Sequence, residues 1–160
     1  MVSMIVAITR DGAIGKDGDQ LYYITGDLKR FKELTTGNSI IMGSATFNAL
    51  PKGALPNRKN IVLSSNTERR FPGATVVRNI PDALNLVENE AFIIGGESVY
   101  RQFLPVTQRL YLTVIETERP DADKFFPTID PAEWRVINES ELLHDDKNGV
   151  DYRYITLERL

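Results

Sequence analysis

Apolar and polar positions along the 160-residue chain fall into two alternating rhythms. Continuous apolar runs at Ile40-Ile41-Met42, Ile61-Val62-Leu63 and Phe92-Ile93-Ile94 lack polar alternation, the pattern of strands buried on both faces of a sheet. Strand patterns are read at Ser3 to Thr9, Ser39 to Met42, Asn60 to Ser64, Ala74 to Val77, Ala91 to Ile94, Arg109 to Ile115, Trp134 to Ser140 and Val150 to Glu158. Helical spacing predicts helices over Gly26 to Thr35, Ala45 to Leu50, Pro81 to Glu88 and Ser98 to Phe103. This β-α-β-α order predicts an α/β single domain over residues 1–160, with a mixed, mostly parallel, eight-stranded twisted sheet and four flanking helices. The stretch from Arg109 to Leu160 shows three strand patterns, no helix and an Asn148-Gly149 turn, so an antiparallel C-terminal edge is expected. One long connection, Arg10 to Ile24, carries Gly12, Gly15 and Gly18 and reads as a loop acting as a lid.

Composition narrows the function. Hydrophobic residues at 42% and charged residues at 26% are those of an ordinary globular chain, and a net charge of −3 leaves no broad basic face for nucleic acid or anionic lipid. No apolar run reaches the ~20 residues of a membrane helix and the first residues run straight into a strand, so a cytoplasmic address is expected. Cysteine is absent and histidine occurs once, which removes thiolate chemistry, disulfides and His-rich metal sites. His144 stands just before Asn148-Gly149, in a surface hairpin rather than at a catalytic position. Acid–base work falls to carboxylates, tyrosines or water.

Three features carry candidate chemistry. On the first helix, Leu28, Phe31 and Leu34 form the apolar stripe, and Asp27 falls on the same side as Phe31 and Leu34. An inward carboxylate has a raised pKa and calls for paired donors on a ligand; a first-turn Asp complementing the helix dipole, with Thr25 as N-cap, accounts for the same residues. Two strand-to-helix turns, Met42-Gly43-Ser44 and Ile94-Gly95-Gly96-Glu97, place glycine where a backbone can approach phosphate oxygens. In Leu55-Pro56-Asn57-Arg58-Lys59-Asn60, Arg58 can fork onto a ligand carboxylate or stand solvated on the surface.

Together with Ala7, Ile14-Gly15, Thr46, Leu63-Ser64-Ser65, Tyr100, Tyr111 and Thr113, these residues occur in an order that resembles the bacterial type of dihydrofolate reductase over nearly the whole chain. The resemblance implies reduction of dihydrofolate by hydride transfer from NADPH, with Asp27 binding the pterin edge and assisting protonation, Thr113 orienting it and Tyr22 beside them. Ile5, Ala7, Leu28, Phe31, Leu50, Leu55, Ile94 and Tyr100 would form the substrate cleft. The Ile5 and Ile94 carbonyls would face the 4-amino group of inhibitors, and Arg58 would hold the glutamate tail. Ala7, Ile14, Gly15, Gly43, Ser44, Ala45, Thr46, Leu63, Ser64, Ser65, Arg78, Gly95, Gly96, Glu97, Ser98, Val99 and Tyr100 would bind the dinucleotide. No metal is implied; dihydrofolate and antifolates are the expected partners, and a monomer is expected.

Three positions depart from the family's usual pattern. Tyr22 stands where a tryptophan is usual, with Leu21 for the preceding proline; Ser44-Ala45 lack the usual basic residue for the adenosine 2′-phosphate; Ser98 replaces a residue that is often basic. A pyrimidine reductase of riboflavin synthesis on the same fold, and a noncatalytic nucleotide-binding module, are the rival readings; the joint presence of Asp27, Phe31, Arg58 and Thr113 opposes both.

Overall fold

The computed structural model describes residues 1–160. All eight predicted strands form one sheet: β1 (Val2–Thr9), β4 (Ser39–Gly43), β5 (Lys59–Leu63), β6 (Ala74–Val77), β7 (Ala91–Gly95), β8 (Arg109–Ile115), β10 (Trp134–Glu139) and β12 (Val150–Arg159). Their order is β10-β12-β8-β1-β7-β4-β5-β6. The pairings from β8 to β6 are parallel, while β12 runs antiparallel to β8 and to β10. A ninth short strand, β11 (Leu143–Asp145), pairs with β12 through the Asn148-Gly149 turn and carries the exposed His144.

Four helices cover the sheet: α1 (Thr25–Thr35), α2 (Ser44–Ala49), α3 (Ile80–Leu86) and α4 (Glu97–Phe103). Alternation along the strands splits the core into two layers. Met4, Val6, Ile41, Ile61 and Ile93 join Ala83 of α3 and Val99 and Phe103 of α4 on one face. Ile5, Ile40, Met42, Val62 and Phe92 join Phe47 of α2 on the other, where Phe31 and Leu34 of α1 lie over them. Because both layers are filled, β4, β5 and β7 read as unbroken apolar runs.

The connection from Arg10 to Ile24 is not a bare loop. β2 (Ala13–Lys16) and β3 (Asp19–Gln20) lie within it and form a three-stranded antiparallel sheet with β9 (Lys124–Phe125). These strands are two to four residues long, too short to leave a periodic signature.

Candidate active site

The central strand β1 is buried from Ser3 to Thr9 except at Ala7, and β7 is buried except at Ile94. Half-exposed residues in the middle of a two-faced sheet mark an opening over it. Phe31, Leu50, Leu55, Ile94 and Tyr111 rim this opening, each half-buried and packed on the cluster that contains Ile5. Ala7 packs instead with Tyr22 around Ile24, Ile115 and Tyr152. Leu28, expected in the same stripe, is 47% exposed and joins no core cluster. Its place on the helix turns it past the cleft edge, and Phe31 and Leu34 carry the inward side.

Asp27 lies in the first turn of α1. Thr25 is not the cap: it is already helical, and the N-cap is Ile24, extended and without a capping side chain. Ile24 is 2% exposed, so burial of its side chain anchors the helix start. The Asp27 carboxylate turns toward β8, where Oδ1 accepts a 2.5 Å hydrogen bond from Thr113 Oγ1. Burial raises the Asp27 pKa above the ordinary carboxylate value, while the Thr113 bond and the charge of Arg30 pull it back. Of the two readings left open for Asp27, the geometry gives the inward one, within the first turn that the dipole reading required.

The two glycine turns meet. Gly43 and Gly95 end neighbouring parallel strands, and Gly43, Leu63 and Val77 lie in one row across β4, β5 and β6. Gly95 has φ +136, open to glycine alone, and a Cβ there would come 3.2 Å from Thr46 Oγ1. A Cβ on Gly43 would come 3.1 Å from Val99 Cγ2, so each turn is packed against the helix that follows the other. Beyond the row stand Ser44, Ala45, Ser64, Ser65 and the exposed Arg78, whose Nη2 donates to Thr67 Oγ1 at 3.4 Å. Glu97, expected to face a dinucleotide, directs its side chain elsewhere. Oε2 accepts from the Phe125 amide at 2.7 Å and Oε1 from Arg101 at 3.0 Å, which holds the carboxyl below its ordinary range and ties α4 to β9. Ser98 is exposed, its Oγ accepting from Gln102 Nε2 at 3.0 Å.

The short sheet is pinned to β9 and its approach. The Asp123 amide donates to the Gly15 carbonyl at 3.1 Å, and Asp123 Oδ2 accepts from the Asp17 amide at 3.0 Å. At Gly15 a Cβ would meet the Asp19 carbonyl at 3.0 Å, so the β2–β3 hairpin closes tightly there. Ile14 and Tyr22 are half-buried, and the Arg119 guanidinium lies 5.7 Å from the Tyr22 ring centre.

At the far end, Arg58 Nε donates to the Pro56 carbonyl at 2.8 Å and Nη1 to Thr35 Oγ1 at 3.1 Å. The buried Asn60 locks the same loop, accepting from the Leu55 amide and donating to the Leu55 and Arg58 carbonyls. Arg58 forms no ion pair, which leaves a positioned, partly desolvated cation at the end of α1. Tyr100, fully within the core, donates its hydroxyl to the Ile5 carbonyl at 2.8 Å. That carbonyl, expected to face a ligand amino group, therefore has one lone pair already engaged.

Several residues of the cleft have no sequence signal of their own. Tyr152 and Tyr154 of β12 stack edge to face at 5.6 Å, and Arg30 of α1 covers Tyr154. A Cβ on Gly26 would come 2.8 Å from the Tyr152 hydroxyl, so the first turn of α1 lies directly on that ring. The alternation of Tyr152 and Tyr154 on a strand paired with β8 is the one hint the sequence holds, and it needs the pairing Tyr154↔Thr113 to be known.

Comparison with known proteins agrees with this geometry. The family model described as dihydrofolate reductase matches residues 1–159. The chain is 38% identical to the dihydrofolate reductase of Bacillus subtilis, over 99% of this chain and 95% of that protein, and 37% identical to that of Haemophilus influenzae, over 98% of each. A solved structure, dihydrofolate reductase from Enterococcus faecalis complexed with NADP(H) and RAB-propyl, superposes with a TM-score of 0.90 at 34% identity, covering 99% of this chain and 96% of that one. By sequence and by fold alike, the chain belongs to the dihydrofolate reductase family.

Proposed function

We propose that the cleft over β1 and β8 reduces 7,8-dihydrofolate to 5,6,7,8-tetrahydrofolate with hydride from NADPH, Asp27 handling the proton. The observation that carries the site assignment is the Asp27–Thr113 pair: a buried carboxylate with one oxygen fixed, at the edge of an apolar opening. Such a carboxylate offers its other oxygen to the paired N–H donors of a pterin edge. Its raised pKa lets it hold a proton to higher pH than an ordinary carboxylate, so turnover falls as pH rises through its titration.

Ile5, Ala7, Phe31, Leu50, Leu55 and Ile94 supply the apolar walls, and Leu28 at the rim adds surface to a bound ligand. Arg58, free of any carboxylate partner, is suited to a glutamate tail. The residues fit a dinucleotide: the interlocked turns at Gly43 and Gly95-Gly96 keep side chains out of a shared backbone cradle, with Thr46 and Tyr100 beside it. Ser44, Ala45, Ser64, Ser65 and Arg78 would hold the adenosine end, Ser98 and Val99 the pyrophosphate side, and Ile14 and Gly15 would cover the nicotinamide. When bound, the nicotinamide supplies the hydride that the substrate accepts at C6. The protein aligns the two rings, excludes water and holds the proton at Asp27.

Neither the pyrimidine reductase nor the noncatalytic reading is favoured by the relatives. Within the proposed reading the protein works as a cytoplasmic monomer on small molecules, antifolates included, without nucleic acid; its negative net charge supports this, and no helix is long and apolar enough to cross a membrane. The test is a loss of absorbance at about 340 nm when NADPH and dihydrofolate are mixed with the protein. No loss above the uncatalysed rate overturns the reading.

A further inference from the structure

Arg30 is a cation in the cleft wall without a counter-ion in contact. It follows Asp27 by three residues on α1, so the two lie on the same flank one turn apart. Its guanidinium carbon is 4.1 Å from the centre of the Tyr154 ring on β12 and 5.8 Å from that of Tyr111 on β8. Nη1 is buried and has no hydrogen-bond partner. A guanidinium placed in this way lies against the faces of two rings rather than a carboxylate, and its partial burial weakens the screening of its charge.

The groups around the pair leave Arg30 as the cation that acts on Asp27. From β8, Thr113 donates to Asp27, and Tyr111 accepts from Arg109 at 3.2 Å, with Glu158 3.9 Å from Arg109 on the far side. From β12, Tyr152 and Tyr154 face α1, and from α4 the Tyr100 hydroxyl is committed to the Ile5 carbonyl. Burial keeps the Tyr100 and Tyr154 hydroxyls protonated far above their ordinary value, so they bring no charge.

We propose that Arg30 is a positioning residue for the reaction: a cation clamped against the Tyr154 and Tyr111 rings, one turn of α1 from Asp27, that biases this carboxylate toward its ionised form and so sets the upper pH limit of turnover. The proposal rests on the reading of Asp27 as the proton-handling group. Burial drives Asp27 toward its neutral form; the Thr113 hydrogen bond and the charge of Arg30 both oppose it, so removing the Arg30 charge moves the titration upward.

The experiment follows turnover against pH for the wild type, Arg30→Met, Arg30→Lys, Tyr154→Leu and Asp27→Asn. In parallel, the Asp27 carboxyl is titrated by carbon-13 NMR in the ligand-free protein, its signal identified by its absence from Asp27→Asn. Arg30→Met extends the descending limb to higher pH: one unit above the wild-type midpoint it keeps about threefold to tenfold more of its maximal turnover than the wild type does. The NMR titration moves in the same direction, Arg30→Lys restores most of the wild-type position, and Tyr154→Leu, which frees the clamp, moves part of the way with Arg30→Met. An Asp27 titration unmoved in Arg30→Met overturns the proposal; should that variant fail to fold, an unmoved titration in Tyr154→Leu does so. Failure of the underlying reading looks different: Asp27→Asn then retains the wild-type descending limb, whatever the NMR titration shows.

Discussion

Thr113 Oγ1 on β8 and Asp27 Oδ1 on α1 are joined by a 2.5 Å hydrogen bond that spans 86 positions of sequence. It fixes one oxygen of a carboxylate whose burial disfavours its charge, and thereby decides which oxygen faces the cleft. Helix and sheet are held in register at the point where proton handling is proposed.

Asp27→Asn keeps the shape and the acceptor for Thr113 but removes the titration. Turnover at neutral pH falls by about 10²- to 10⁴-fold, with partial recovery at acid pH where the substrate arrives already protonated. Stability moves the other way. The folded-state pKa of Asp27 is raised, so its stabilising contribution is complete below the unfolded carboxylate value and is lost as pH rises through the folded one. The variant therefore melts at a higher temperature than the wild type at neutral pH, and the gap closes toward acid. A gap that widens toward acid contradicts the assigned direction.

Thr113→Val removes the donor while filling nearly the same buried space. Asp27 loses one of the two influences that keep it ionised, and its orientation is freed. Hydrogen bonds to charged groups contribute ~1.5–3 kcal/mol, so affinity for a diaminopyrimidine antifolate drops roughly tenfold to more than a hundredfold. Calorimetric titration reads the loss, and unchanged affinity removes Thr113 from the site.

Arg58→Ala leaves the exposed Pro56 carbonyl to water, while the buried Thr35 hydroxyl keeps its bond to the Phe31 carbonyl. The Michaelis constant for dihydrofolate rises by the same roughly tenfold to more than a hundredfold, while a pterin without a glutamate tail is scarcely affected. Equal losses for both substrates assign Arg58 to holding the loop alone.

Ser44 follows Gly43 at the end of the row that includes Leu63 and Val77. Ser44→Arg places a charged fork where a neutral hydroxyl stands, so NADPH binding tightens, NADH binding stays nearly unchanged, and the salt dependence for NADPH steepens. Paired titrations of both cofactors show whether the gain is selective; a gain shared equally by NADH moves the adenosine site away from Ser44.

Asp123→Ala removes the carboxylate that accepts from the Asp17 amide while leaving the backbone bond to Gly15. Amide exchange at Asp17 accelerates and turnover drops several-fold as closure over the cleft loosens, by roughly the ~1 kcal/mol of one hydrogen bond. Unchanged exchange at Asp17 shows that the Gly15 carbonyl bond suffices.

The central strands were legible because unbroken apolar runs such as those of β4, β5 and β7 mark strands buried on both faces. The spacing of Asp27 to Phe31 and Leu34 allowed an inward carboxylate but left the helix-dipole reading open, and the glycine turns were legible from their place after apolar runs. Two things were not. The short strands β2, β3 and β9 leave no periodicity, so the Arg10 to Ile24 connection read as a loop acting as a lid, without the strands it contains. Partners chosen by strand pairing, such as Arg30 with Tyr154 or Glu97 with the Phe125 amide, belong to the sheet order rather than to any local pattern. Thr25 was read as the cap because its residue type suits one, whereas the helix starts after the buried Ile24; Leu28, read into the apolar stripe, lies exposed on α1 outside the core clusters.

The central position of β1 also governs the order in which the molecule can assemble. Its neighbours are β7, aligned Val2↔Ala91, and β8, aligned Ser3↔Arg109, so the first strand made is paired only with two strands made late. During synthesis, the apolar strand with Met4, Ile5, Val6 and Ile8 has no partner until β7 has left the ribosome and keeps an open edge until β8 follows, an edge of the kind that chaperones shield. Loop closure over such a separation makes folding slow for a domain of this size. The floor of the cleft is thus among the last parts to form, and a nascent chain that stops short of β8 has neither Thr113 nor a closed sheet on which α1 could present Asp27.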